Sequence, residues 1–294
     1  MKKRGTLVRN QVIDDTYQIL FYIGEGAFGE VYRVHHKYLG VQVLKLFKEV
    51  DDKIEMSGLL DEARILSEIV HPNIVRVFEC NSFFLNKKLR YFMTMGFVSG
   101  ESLTQLLARR ISLNAKEAVA IMLDVLSGLS FVHSMDPAIV HRDINTDNIL
   151  LSYEQDKICG MLSDFGLSQK FDLKSSLPKA AGRYAYMAPE TFWGVHVLSS
   201  DVFSSAVVLY RSMTGFYPWQ YESEWMGSDI EDIVTYISLA RKRAPRAVSF
   251  YNETSDDILD AIILKGLSVD LQYRYRSAND FFGALNFWFN NSSH

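Results

Sequence analysis

An α+β fold is what the periodicity of this 294-residue chain predicts: a small strand-rich part up to Met95, then a larger and mainly helical part. Three observations carry that expectation. Alternating runs such as Val31-Tyr32-Arg33-Val34 and Val41-Gln42-Val43-Leu44-Lys45-Leu46 have the period of strands. One helix near residues 58–69, with Ala63, Leu66 and Ile69 on its apolar face, sits among them. Beyond Gly96-Phe97-Val98 the period lengthens to that of helices.

Asp15-Thr16-Tyr17-Gln18-Ile19-Leu20 opens the first strand. It leads into Gly24-Glu25-Gly26-Ala27-Phe28-Gly29-Glu30-Val31, where glycines let a backbone approach phosphates and offer amide donors with no Cβ in the way. A lone glycine pattern also suits a Rossmann turn or a plain hairpin. A Rossmann turn needs a helix next, and Val31-Tyr32-Arg33-Val34 reads as a strand, so a hairpin lid is favoured. The next strand ends its apolar run on Lys45, whose ordinary reading is a lysine on a strand edge. In the second part, Val119, Met122, Leu126, Leu129 and Val132 recur at helical spacing between Asn114 and His133, with Asn114 as the cap. Further helices are expected over Asp201–Thr214, Asp229–Arg241, Asp256–Leu267 and Ser277–Phe289.

The chemistry concentrates in His141-Arg142-Asp143-Ile144-Asn145-Thr146-Asp147-Asn148 and a second acidic turn, Asp164-Phe165-Gly166. Asp143 can take a proton from an attacking hydroxyl. Asn148 and Asp164 supply hard oxygen ligands suited to Mg²⁺ bridging the phosphates of a nucleotide. With the glycine loop and Lys45 in the same order, the chain resembles the eukaryotic-type protein kinase family, in the form of bacterial serine/threonine kinases. The resemblance runs from about Tyr17 to about Phe289. It continues through His71-Pro72-Asn73-Ile74-Val75, Gly182-Arg183-Tyr184-Ala185-Tyr186-Met187-Ala188-Pro189-Glu190, Ser200-Asp201-Val202-Phe203-Ser204 and Asp270-Leu271-Gln272-Tyr273-Arg274-Tyr275.

That resemblance implies a two-lobed protein kinase fold: an extension over 1–16, an N-lobe over about 17–95, a hinge at 96–98, a C-lobe over about 99–289 and a tail over 290–294. It implies ATP as cosubstrate with Mg²⁺, Mn²⁺ being possible, and phosphoryl transfer to Ser/Thr hydroxyls of proteins. Lys45 would hold the α- and β-phosphates, oriented by Glu62, with Glu55, Asp61 and Glu68 as rival acids. Val31, Val43 and the hinge backbone through Val98 would enclose the adenine, with Met95 as gatekeeper. Asp201 would hold the catalytic-loop backbone, His141 would pack with Phe165 and Leu66, and Arg274 would pair with Glu190.

Two residues depart from the family. Asn145 stands where a lysine contacts the γ-phosphate, and Arg183 stands where a threonine braces that lysine against the catalytic aspartate. Losing one such cation removes an electrostatic contribution often worth about 2.7–4 kcal/mol. Local charge is nevertheless conserved, and the forked side chain of Arg183 is long enough to reach Asp143 or the γ-phosphate site in place of the missing ammonium. The alternative is that Arg183 faces solvent or an acidic substrate residue. A nucleotide-binding pseudokinase is the rival function. A small-molecule kinase lacks Met187-Ala188-Pro189-Glu190 and the Arg274 latch. Arg142 suggests pairing with a phosphate on the activation segment, with Ser175 and Ser176 as candidate acceptors.

Composition bounds the rest. With 48% hydrophobic and 22% charged residues the chain has material for a core, and a net charge of −4 offers no broad basic field for nucleic acid or membrane. Cys80 and Cys159 form neither a disulfide framework nor a metal pattern, so a cytoplasmic protein is expected. Trp193, Trp219 and Trp225 are expected to pack within the helical part.

Overall fold

Six antiparallel strands form the first sheet, in the order β1-β2-β3-β4-β6-β5: β1 (Val12–Ile13), β2 (Tyr17–Glu25), β3 (Gly29–His36), β4 (Gly40–Phe47), β5 (Val77–Leu85) and β6 (Lys88–Gly96). The structure is a computed structural model and describes residues 5–26, 29–48, 65–154, 157–165, 183–219 and 230–292. The described residues divide into two compact units, one ending at Val98 and one starting at Ser99.

Alternation decides which face of the first sheet is closed. Tyr32 and Val34 of β3, Leu44 and Leu46 of β4, and Phe92 of β6 are buried with Tyr17 and Ile19 in one apolar cluster. Full burial of each such side chain stabilises by about 1.5–3 kcal/mol. Residues one step along the strands therefore lie on the other face. Register places Val31 opposite Lys45 and Met95 opposite Val43 there. Leu7 and Ile13 also join the closed cluster, so residues expected to form an extension before Tyr17 contribute to the core of this unit. Of the helix expected near residues 58–69, residues 65–67 are helical, with Leu66 and Ile69 buried as expected of its apolar face.

In the second unit β7 (Gly100–Ser102), β8 (Ile149–Glu154) and β9 (Lys157–Leu162) form a three-stranded antiparallel sheet. The helices are α1 (Leu103–Arg110), α2 (Ala115–His133), α3 (Leu198–Thr214), α4 (Ile230–Ala240), α5 (Asp257–Gly266) and α6 (Ala278–Asn291). Their starts follow the caps. The Asn114 side chain accepts from the Glu117 amide at 2.9 Å, Asp256 from that of Leu259 at 2.7 Å, and Ser277 from that of Asp280 at 3.2 Å. The α1 helix was not among the expected ones, although Ser102 and Gln105 close a capping box at its start. Helix α3 begins at Leu198, before the Asp201 expected from sequence. It is buried along most of its length, including Val202, Phe203, Ala206 and Leu209, as befits a helix at the centre of its unit. Among the described residues no helix is long and apolar enough to cross a membrane.

Candidate active site

The catalytic loop is held from behind by a single buried carboxylate. Asp201 Oδ2 accepts the backbone amide of His141 at 2.7 Å and Oδ1 accepts that of Arg142 at 2.9 Å, and His133 Nε2 lies 2.9 Å from Oδ2. Such support is needed locally. Arg142 has φ = 70°, a left-handed conformation that disfavours a side chain and costs about 1–3 kcal/mol. Asp201 therefore does what the resemblance implied. The His141 ring packs 4.5 Å from that of Phe165 and hydrogen-bonds the Ser163 carbonyl through Nε2 at 3.1 Å.

Beyond the loop the chain enters the β8–β9 hairpin, whose register pairs Ile149 with Leu162. One step further out, Asn148 and Ser163 face each other, and the Ser163 amide donates to the Asn148 carbonyl at 2.9 Å. The hairpin thus brings Asn148 and Asp164, the two expected metal ligands, to its one open end. Asp164 has φ = 58°, a second left-handed residue at the site.

Around Asp143 the side chains interlock. Asn148 Nδ2 donates to the Asp143 carbonyl at 2.8 Å and to its Oδ2 at 2.9 Å. Those two bonds use both amide protons and leave Asn148 Oδ1, a hard neutral oxygen, for a cation. Together with the Asp164 carboxylate this donor set fits Mg²⁺, which takes one or two protein oxygens and fills its octahedron with phosphate and water. Among the described residues there is no cluster of three or more His, Cys, Asp or Glu side chains that could hold a metal by itself.

Asn145, 2% exposed, is bonded on both sides of its amide. Nδ2 donates to Asp143 Oδ1 at 2.9 Å, while Oδ1 accepts from the Asp147 amide at 2.9 Å and the Asn148 amide at 3.3 Å. Arg183, distant in sequence, stands with Nη1 3.0 Å from Asp143 Oδ2, its side chain 34% exposed and that of Asp143 14%. Arg183 therefore meets Asp143 rather than facing solvent alone.

The first unit carries the other expected groups. Lys45 is 4% exposed on β4, an interior strand paired with both β3 and β6, so the edge-lysine reading does not apply. Val31 and Val43 are half-buried on its face of the sheet, and Met95 is buried there. In the glycine-rich turn the Gly26 amide donates to the Gly29 carbonyl at 2.8 Å. A Cβ on Gly29 would lie 2.0 Å from the Leu46 carbonyl oxygen, so glycine is required there by the fold itself. A Cβ on Gly24 would meet nothing within 4 Å, leaving the space on that side of the turn open. Glu25 precedes the turn at the end of β2, and Val98 closes the unit. Ala27, Phe28, Glu62, Gly166, Ser175, Ser176 and Trp225 lie outside the described residues. Of the rival acids, Glu68 is exposed.

Arg274 reaches Glu190 as expected. Nη1 donates to Oε1 at 2.8 Å and Nη2 to Oε2 at 3.2 Å, while the Ser199, Ser268 and Val269 carbonyls accept from the same guanidinium. Burial alone would raise the Glu190 carboxyl, but the Arg274 fork and the Ser200 hydroxyl outweigh it and hold the group below its ordinary value. Trp219 is buried and stacked on Phe203. Trp193 corrects the expectation of packing: it is 82% exposed, because the 3₁₀ turn Pro189–Trp193 ends with it on the surface.

A small sheet-based unit bearing a buried strand lysine, and a helical unit bearing the Asp143–Asn148–Asp164 constellation, are the two halves of a protein kinase. The protein kinase domain family matches residues 17–279, and the chain belongs to that family. The kinase domain of PknI from Mycobacterium tuberculosis has the same fold, with a TM-score of 0.71 at 23% identity over 96% of this chain and 99% of that one. Probable serine/threonine-protein kinase PknB of Lactococcus lactis is 25% identical over 92% of this chain and 41% of its own length. Probable serine/threonine-protein kinase gdt4 of Dictyostelium discoideum is 35% identical over 68% of this chain and 12% of its own. The chain thus spans less than half the length of these curated relatives.

Proposed function

We propose that the chain catalyses ATP-dependent phosphoryl transfer to serine or threonine hydroxyls of protein substrates. The observation that carries this reading is the bonding around Asn148. Its amide is turned so that one proton fixes the Asp143 carboxylate and the other the Asp143 backbone carbonyl, while its oxygen stays available to a metal beside Asp164. In this reading Asp143 aligns the substrate hydroxyl and accepts its proton, and Asn148 and Asp164 hold Mg²⁺ or Mn²⁺. Lys45, oriented by Glu62, holds the α- and β-phosphates. The turn over Gly24, Glu25, Gly26, Ala27, Phe28 and Gly29 covers the phosphates with amide donors. Val31, Val43, Met95 and the backbone at Val98 hold the adenine. When bound, the metal–nucleotide complex supplies the phosphoryl group and shields its charge.

Serine or threonine specificity is supported by the run from Gly182 to Glu190, which follows the serine/threonine pattern apart from Arg183, and by the names of the relatives. Cys80 and Cys159, both half-buried and neither in a disulfide among the described residues, suit a reducing cytoplasm. A second reading, a nucleotide-binding pseudokinase acting as a scaffold or switch, is favoured by one observation: Asn145 brings no ammonium to the loop. Transfer from radiolabelled ATP to a generic serine/threonine peptide, with Mg²⁺ or Mn²⁺, separates the two. The wild type is expected to exceed an Asp143→Asn control by about 10²–10⁴-fold. Nucleotide binding with transfer no greater than that control gives the pseudokinase reading instead.

A further inference from the structure

Asn145 and Arg183 depart from the family's pattern around the catalytic aspartate, and they meet the same carboxylate from opposite ends. Asn145 Nδ2 is 2.9 Å from Asp143 Oδ1, and Arg183 Nη1 is 3.0 Å from Asp143 Oδ2. We propose that they are one exchange of roles: Asn145 braces the catalytic loop, and Arg183 supplies the positive charge beside the transferred phosphoryl group. The inference rests on the kinase reading above.

The brace follows from hydrogen-bond chemistry. A lysine ammonium has three donors and no acceptor, so it cannot receive the amides of Asp147 and Asn148. Asn145 receives both through Oδ1 while also donating to the Asp143 backbone carbonyl at 3.1 Å. Its amide is thus spent on backbone and on Asp143, and it is buried. It has neither the charge nor the freedom to follow a phosphoryl group.

Arg183 has both. A guanidinium carries five donors in a rigid fork, and a side chain about one-third exposed keeps part of that fork accessible to a ligand. Its backbone is well anchored. The Tyr186 amide donates to the Arg183 carbonyl at 3.0 Å, and Tyr184 is buried in a cluster with Ile233 and Ile237. The Tyr186 hydroxyl lies 2.9 Å from Thr146 Oγ1 of the catalytic loop, so the turn that carries Arg183 is tied to the loop it serves. Asp143 keeps room for its substrate: a carboxylate has about four lone-pair sites, the two asparagines fill one on each oxygen and Arg183 a second on Oδ2, which leaves one on Oδ1.

The test compares ATP with ADP, because only ATP carries the phosphoryl group that the cation is proposed to meet. Calorimetric titration with Mg²⁺ present is expected to show Arg183→Gln weakening ATP about tenfold, the scale of one charge-assisted hydrogen bond, while ADP changes less than twofold. The same variant should lose about 10²–10³-fold in kcat for peptide phosphorylation. Adding Asn145→Lys should return part of both, because shared interactions are non-additive. Arg183→Gln replaces a partly exposed side chain, so it decides the matter even if the lysine variant fails to fold. An unchanged ATP-to-ADP ratio overturns the exchange, as does faster transfer by Arg183→Gln, which would mark Arg183 as a clamp masking Asp143. A wild-type protein that binds ATP but transfers nothing defeats the kinase reading separately, since the affinity ratio is still measurable.

Discussion

Arg274 and Arg183 each meet a carboxylate of the second unit, in very different surroundings. The Arg274 side chain is 0% exposed and grips Glu190 with two prongs, and three backbone carbonyls take up the rest of its fork. Arg183 is 34% exposed and meets Asp143 through one nitrogen. Arg274 was desolvated on folding and every donor was given a partner, so removing it strands a buried charge. The Arg183 pair stays partly in water, where its attraction is screened and its contribution to stability is small. A dry, saturated pair serves the fold; a wet pair keeps donors for a ligand.

The strongest way to break that comparison is Arg274→Met. It leaves Glu190, its side chain only 11% exposed, without its charged partner and should cost about 3–5 kcal/mol in urea unfolding. A cost below about 1 kcal/mol would show that the latch is no more structural than a surface pair. The pH dependence sharpens the same point. Glu190 is held below the value of about 4.3 for an unfolded glutamate, so its contribution is fully present above that pH. It is lost as pH falls through the lower, folded value. The difference in stability between wild type and Arg274→Met should therefore be largest near neutrality and shrink in acid. A difference independent of pH would assign the loss to packing of Arg274 over Phe203, 4.9 Å away, rather than to the ion pair.

Asn114→Ala is an intermediate case. It removes the cap of α2, which should cost about 1 kcal/mol with no change in nucleotide affinity. The smallest expected effect on stability is that of Arg183→Gln, within about 1 kcal/mol, in a variant expected to lose about 10²–10³-fold in kcat. Destabilisation as large as that of Arg274→Met would remove the contrast between the two pairs.

Much of this was legible in the sequence for a local reason. Asp143, Asn148 and Asp164 are brought together by a short loop and one hairpin, so their order along the chain carries their geometry. The caps of α2, α5 and α6 were legible in the same way. Other features depended on partners far along the chain. Leu7 and Ile13 precede the first recognisable motif, and nothing local says that they complete the core of the first sheet. Trp193 looks like core by composition but is placed outside by the turn it ends. The Arg183–Asp143 contact was suggested only by two compensating departures. The second job of Asn145, accepting loop amides, was hidden because a missing lysine reads as a loss and not as a gain.

The pairing of Asn148 with Ser163 at the mouth of the β8–β9 hairpin has a consequence for how this domain tolerates change. Side chains alternate along a strand, so one residue inserted into β9 would carry Asp164 about 3.3 Å along and reverse the faces of the residues before it. The Asp143–Asn148 bonds lie on the other arm and would survive. Such a protein would keep an intact proton acceptor beside a dismantled cation site. In this hairpin, length is under stricter constraint than composition.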